Sequence, residues 1–261
     1  MKVYVASHVQ VPKPELPYCT GIQTGAAQAA PWPGYLQDNV GDNISQKNRY
    51  FGELTGLYWV WKNTTDPLVG WCHYRRFFSP ILFSQSQRTG VAVDLPTAQT
   101  ILGRDGYGTL FESELALAQI ILPQMVHPTV SAAQWFCETH RPADWTAMLA
   151  ALADVHPTEA EAATQYLSSV RPLHFWCMFI THRSVLDAYC EWLFPLLFHL
   201  ETQITPSEDN FLCRVFAFLT EHLFNWWTAS RGLQMVNRPV IFLADAKPPG
   251  VDVGAAPGVG V

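Results

Sequence analysis

An α/β architecture with a helix-rich second half is the expectation for this 261-residue chain. Three observations lead there. Short apolar runs of strand length occur at residues 2–6, 68–72, 120–123 and 175–181, separated by segments of helical periodicity. The helical segments lengthen after residue 131. The composition, 49% hydrophobic and 13% aromatic, supplies a core large enough for one domain of that class.

Residues 2–6 form the first predicted strand, with Ala6-Ser7-His8 at its C-terminal end. A long Pro-, Gly- and Ala-rich loop follows up to Asp42; loops of that length are often functional. Ser45 is positioned to cap a helix reaching about Asn63, with Phe51, Leu54, Tyr58 and Trp61 on one face. Asp66-Pro67 stops it. Residues 68–72 then read as a strand that delivers His73-Tyr74-Arg75-Arg76 to its C-terminal edge, where open α/β sheets bind ligands.

Residues 80–92 read as a loop, with short helices expected around 96–102 and 112–117. A strand at 120–123 ends at proline. Residues 131–170 hold two or three helices, broken near Arg141-Pro142 and His156-Pro157. A strand at 175–181 precedes a long amphipathic helix at 183–203. Another helix spans 207–229, with Ser207 at its start and Glu208 and Asp209 in its first turn, where negative charge suits the helix dipole. Residues 240–243 add a last strand. The expected organisation is one domain over residues 1–244 and a disordered Pro/Gly tail over 245–261.

Bulk properties narrow the function. A net charge of −6 speaks against broad nucleic-acid binding. No apolar run approaches the roughly 18 residues that signal a spanning helix. The first ten residues lack the apolar region of a signal peptide, so a cytoplasmic location is expected. The six cysteines show no CxxC spacing and read as reduced, mostly buried thiols. There is no HExxH, P-loop, GxGxxG or GxSxG, and no Asp-x-Asp at a strand end.

The chemistry concentrates in GDNISQKNRYFGELTGLYWVWKN at 41–63 and GWCHYRRFF at 70–78. Core building does not call for so many polar groups between aromatics; a pocket for a polar, anionic ligand does. Arg75 and Arg76 offer planar donor forks suited to phosphate or carboxylate oxygens. On an extended segment they point to opposite sides, so only one is expected to face a pocket. A solvated strand end, with Arg76 paired to an acid, is the equally weighted alternative. His73 and Tyr74 add hydrogen bonding or stacking, and His8 closes the first strand. Asp38, Asp42 and Asn43 are candidates for ribose or sugar hydroxyls, with turn chemistry and capping as the competing reading. Glu53 is a carboxylate on a buried helix that calls for a partner, Arg75 or Arg76. Glu208, Asp209 and Glu221 are candidate general bases; Glu221 lies among bulky apolar residues.

These blocks resemble a bacterial family labelled domain of unknown function 4422, associated with glycosyltransferase family 111. The matching pattern runs from YLQDNVGDNISQKNRYFGELTGLYWVWKN through GWCHYRRFF and IILP to CMFITHRSVLDAYCEWLFPLLFHLE and RVFAFLTEHLFNWW, much of residues 2–229. The resemblance implies a GT-A-like, nucleotide-sugar-binding α/β sandwich working in capsule, exopolysaccharide or O-antigen assembly. It implies an inverting transfer from a UDP-sugar, UDP-galactofuranose in known members, to a lipid-linked or oligosaccharide acceptor, at the inner face of the cell membrane.

With no Asp-x-Asp, no cofactor or metal ligand is assigned. His73, Arg75 and Arg76 are assigned to the diphosphate, His8, Tyr74, Asp38, Asp42 and Asn43 to the rest of the substrate, and Glu221 or Asp209 to the base. The chain departs from the family pattern at Val9, Cys177 and His222. Those departures motivate a second reading, a non-catalytic nucleotide- or glycan-binding module of a polysaccharide assembly complex.

Overall fold

The computed structural model of the protein describes residues 1–84, 89–171 and 173–244. Its centre is β1 (Lys2–Ser7), which runs parallel between β2 (Cys19–Gln23) and β4 (Leu68–His73). A two-residue strand, β3 (Leu36–Gln37), extends the sheet beyond β2. The far edge of β4 is divided. Residues 68–71 pair antiparallel with β8 (Phe179–His182), and His73 pairs with Arg76 of β5 (Arg76–Phe78). From this fork one branch continues through β10 (Val240–Leu243) to β6 (Gly90–Val93). The other continues through β7 (Ile120–Pro123) to β9 (Met235–Arg238).

Period-2 alternation on β1 explains the two layers. Tyr4 and Ala6 face one apolar cluster, Val3 and Val5 the other, and all four are at most 3% exposed. A strand covered on both faces reads as a continuous apolar run, as KVYVA does. One face is covered by α1 (Asn48–Phe51), α2 (Leu54–Asn63), α5 (Ala132–Thr139), α6 (Pro142–Val155), α7 (Ala160–Ser169), α8 (Arg183–Glu201) and α9 (Val215–Ser230). The other is covered by α3 (Leu95–Leu102) and α4 (Tyr107–Leu115). Helix α9 is buried along most of its length, and its Thr220 and Thr228 hydroxyls are satisfied by donating to the Phe216 and Phe224 carbonyls at 2.8 and 2.9 Å.

The expected α/β class, with its helix-rich second half, is what the chain adopts, and several local expectations change. The expected loop before Asp42 contains β2 and β3. CTGIQ carries little apolar signal because Gly21 must admit the Tyr35 ring, which lies 2.6 Å from where a Cβ would stand. The helix expected from Ser45 to Asn63 is broken into a 3-10 turn (Ser45–Lys47), α1 and α2. Gly52, at φ 54°, makes the break. The strand expected from residue 175 starts only at Phe179, because Trp176 and Cys177 both have positive φ, 75° and 44°.

The helix expected from Ser207 begins at Val215, after a 3-10 turn over Leu212–Arg214. β6 begins within the expected 80–92 loop, part of which falls outside the described residues, and β9 was not expected. The expected tail, 245–261, lies outside them entirely. No helix among the described residues is long and apolar enough to cross a membrane.

Candidate active site

The C-terminal ends of β1, β2 and β4 open onto a cavity of about 490 Å³. Its strand wall consists of Ala6, Ser7 and His8 after β1, Thr24 after β2, and His73, Tyr74, Arg75 and Arg76 at the end of β4. Its helical wall consists of Trp135, Thr139 and His140 on and after α5, and Phe211, Arg214, Ala217, Phe218 and Glu221 on and before α9. Glu53, next to the break at Gly52, also lines the cavity.

The His73–Arg76 rung makes Tyr74-Arg75 a two-residue hairpin turn. This corrects the extended-segment expectation: both Arg75 and Arg76 line the cavity. None of Arg75, Arg76 and Arg214 has a carboxylate oxygen within ion-pair distance among the described residues. Elsewhere among the described residues, Arg49, Arg141, Arg183, Arg231 and Arg238 are ion-paired, and only the exposed Arg104 and Arg171 are not. Arg76 is half-buried, like the other two. Its Nε is buried without a hydrogen-bond partner, and loss of solvent, then the Arg75 charge, brings its pKa down to about 10. No acid bonds Arg76, although the charges of Glu221 and Glu53 act on it at longer range. Three arginines against two carboxylates, Glu53 and Glu221, leave the cavity favourable to an anion.

His73 Nε2 donates to the Trp176 carbonyl at 2.7 Å, which fixes the ring and leaves Nδ1 unprotonated. Burial lowers its pKa to about 4, so the imidazole is neutral at pH 7. His8 packs edge-on against Tyr74, with ring centroids 5.3 Å apart. Loss of solvent and then the Arg214 charge lower its pKa.

Glu221 is a half-buried carboxylate of the cavity wall. Desolvation, and then the charge of Glu53, raise its pKa to about 7; Arg76, the Trp176 N–H and Arg214 oppose that rise. Asn225 links the Glu221 turn of α9 to the segment before Trp176. Its Nδ2 donates to the Glu221 and His174 carbonyls, each at 2.8 Å, and its Oδ1 accepts from His174 N at 2.8 Å. The Trp176 turn is thereby tied to α9. Glu53 forms no ion pair with Arg75 or Arg76, contrary to expectation; it instead places a second carboxylate beside Glu221.

Four predicted site residues lie elsewhere. Asp38 is fully buried and accepts from Gly25 N and Ala26 N at 2.9 Å, Ser45 Oγ at 2.5 Å and Thr55 Oγ1 at 2.6 Å. It joins the loop after β2 to α2, leaving no oxygen for a sugar. Asp42 is exposed and accepts from Tyr58 Oη at 3.1 Å. Asn43 closes a turn, donating to the Gly41 carbonyl and accepting from Ser45 N. Asp209 accepts from Phe211 N and Leu212 N, both at 2.8 Å, and so caps the turn before α9. Those hydrogen bonds hold its carboxyl below the usual range.

The sequence reading missed Arg214, His140 and the aromatic residues Trp135, Phe211 and Phe218. Arg214 had a signal, since it stands within the RVFAFLTEHLF block one helical stretch before Glu221.

A family model described as "Domain of unknown function (DUF4422)" matches residues 2–232. The chain belongs to that family. Among solved structures it is similar to the apo structure of the bifunctional glycosyltransferase WbbM, at 25% identity and a TM-score of 0.80. The match covers 96% of this chain and 47% of that one, so the DUF4422 chain spans about half the length of WbbM. No curated protein matches it. The fold is GT-A-like, as expected.

Proposed function

We propose that this DUF4422 protein is a glycosyltransferase that moves a sugar from a UDP-sugar to a glycan acceptor in surface-polysaccharide synthesis. UDP-galactofuranose is the donor that the family resemblance favours. The carrying observation is the set of three arginines without acid partners, Arg75, Arg76 and Arg214, around a cavity at the ends of parallel strands. The similarity to WbbM supports the same reading.

Transfer is a single displacement with inversion. An acceptor hydroxyl oxygen attacks the anomeric carbon, and its proton passes to the Glu221 carboxylate. The bond from the anomeric carbon to the β-phosphate oxygen breaks, and its electron pair leaves with UDP. A base with a pKa near the working pH suits that proton transfer. The charge developing on the diphosphate falls to Arg75, Arg76 and Arg214, with neutral His73 as a further hydrogen-bonding group. Fixed cations aimed at developing charge supply a large share of transition-state stabilisation. The N-terminal turn of α9, which contributes Ala217 to the cavity, adds its partial positive charge.

A panel of UDP-sugars incubated with candidate acceptors, with manganese or with EDTA, tests the reading by release of UDP. Turnover that survives EDTA and disappears in Glu221→Gln supports it. UDP binding without turnover of any donor would instead favour a nucleotide-binding module. Activity lost in EDTA and restored by manganese would remove the arginines' assigned role.

A further inference from the structure

The cavity has two chemically different walls, and of the groups assigned to the diphosphate only Arg214 lies on the helical one. The strand wall carries polar groups and charge. The helical wall presents Trp135 from α5 and Phe211 from the turn before α9. Phe211 is 51% exposed, and the other large apolar side chains so exposed among the described residues, Val40, Leu82 and Leu117, do not line the cavity. A solvent-facing aromatic held at a cavity rim marks a binding surface.

This surface is built to be rigid. Phe211 stands 4.8 Å from Phe218, ring centroid to centroid, and His140 lies 4.3 Å from Phe218 and stacks at 4.7 Å on buried Phe136. The Arg214 guanidinium sits 5.3 Å from the Phe211 ring and 5.2 Å from that of Phe218. Burial lowers the His140 pKa to about 4, so the ring adds a neutral aromatic face at pH 7.

We propose that Trp135 and Phe211 form an acceptor shelf, on which a neutral sugar ring stacks through its C–H face while one hydroxyl reaches Glu221. The proposal rests on the glycosyltransferase reading. Three facts of placement support it. The ends of β1, β2 and β4 lie on the opposite wall, where a nucleotide sits in open α/β sheets. Glu221 follows Phe218 by three residues and so lies on the same face of α9. The field of Arg76 reaches Glu221 from the strand side. The base therefore stands at the seam between a cationic wall and an aromatic one. An aromatic face with a polar edge matches a sugar, whose ring is apolar above and below and hydroxylated around its rim.

Saturation-transfer NMR on UDP-loaded protein tests this, with methyl β-D-galactopyranoside, methyl α-D-mannopyranoside and methyl α-L-rhamnopyranoside as probes. At least one should give a signal in the wild type. Phe211→Ala and Trp135→Ala should each cut that signal about five-fold, in line with the loss of one stacking face, while UDP affinity by calorimetry stays within about two-fold in Trp135→Ala; Phe211→Ala also removes a packing partner of Arg214. Phe211→Tyr should restore the signal. A signal that persists in both alanine variants, or no signal from any glycoside in the wild type, would overturn the shelf. So would a fall in UDP affinity in Trp135→Ala, which would make the wall a nucleobase platform. Failure of the wild type to bind UDP at all would strike the donor reading instead, and the glycoside titration on ligand-free protein would still judge the shelf.

Discussion

His73 and Arg76 are rung partners between β4 and β5, so the strand that delivers HYRR reverses within it. The reversal puts both Arg75 and Arg76 on the cavity and leaves His73 anchored to the Trp176 carbonyl. A straight strand would have sent one arginine to each face of the sheet.

Arg76 should show opposite effects on binding and stability. Replacing a half-buried guanidinium that lacks a bonded acid with an apolar side chain removes its desolvation cost. Arg76→Met should raise the thermal midpoint while weakening UDP binding by about ten-fold or more, as expected for loss of a charge-assisted contact. Thermal melts with and without UDP check this, because the ligand-induced shift should shrink as the unliganded midpoint rises.

Glu221 gives a pH signature. Its folded-state pKa of about 7 lies above its ordinary value of 4.5. The folded state therefore binds a proton more tightly than the unfolded chain, and stability falls as pH rises from 4.5 through 7. Glu221→Gln should be more stable than wild type at pH 8 and indistinguishable at pH 4. Activity should run the other way: wild-type turnover rises with an apparent pKa near 7, and Glu221→Gln loses about 100-fold or more. Denaturant melts and initial rates across pH 4–9 read both curves.

Asp38 and Asp209 separate support from chemistry. Asp38→Ala removes a buried carboxylate that accepts four hydrogen bonds and should cost about 3–5 kcal/mol. Asp209→Ala removes a cap and should cost about 1 kcal/mol, with turnover retained. Urea titration measures both costs, and a large loss of turnover in Asp209→Ala would restore it as the base.

What the sequence made legible follows from range. The strands at β1, β4 and β7, the breaks near Pro142 and Pro157, and the HYRR cluster were readable because apolar runs, prolines and arginines act locally. Glu221 stood out as a carboxylate within an apolar helix. The rest depends on contacts across the chain. Asp38 looks like a ligand group until Ser45 and Thr55 fold over it. Nothing local says that Tyr74-Arg75 is a hairpin turn, since it lacks the Gly or Asn that usually marks one. Arg214, Phe211 and Trp135 become site residues only when α5 and the start of α9 close over the strand ends.

Calorimetric titration of UDP into wild type and into the Arg75→Ala, Arg76→Ala and Arg214→Ala variants, in EDTA, addresses the central claim that partnerless arginines bind the diphosphate. The account predicts measurable affinity in the wild type and a loss of about ten-fold or more in each variant, steepest for Arg76→Ala. Wild-type affinity retained in all three variants would contradict it.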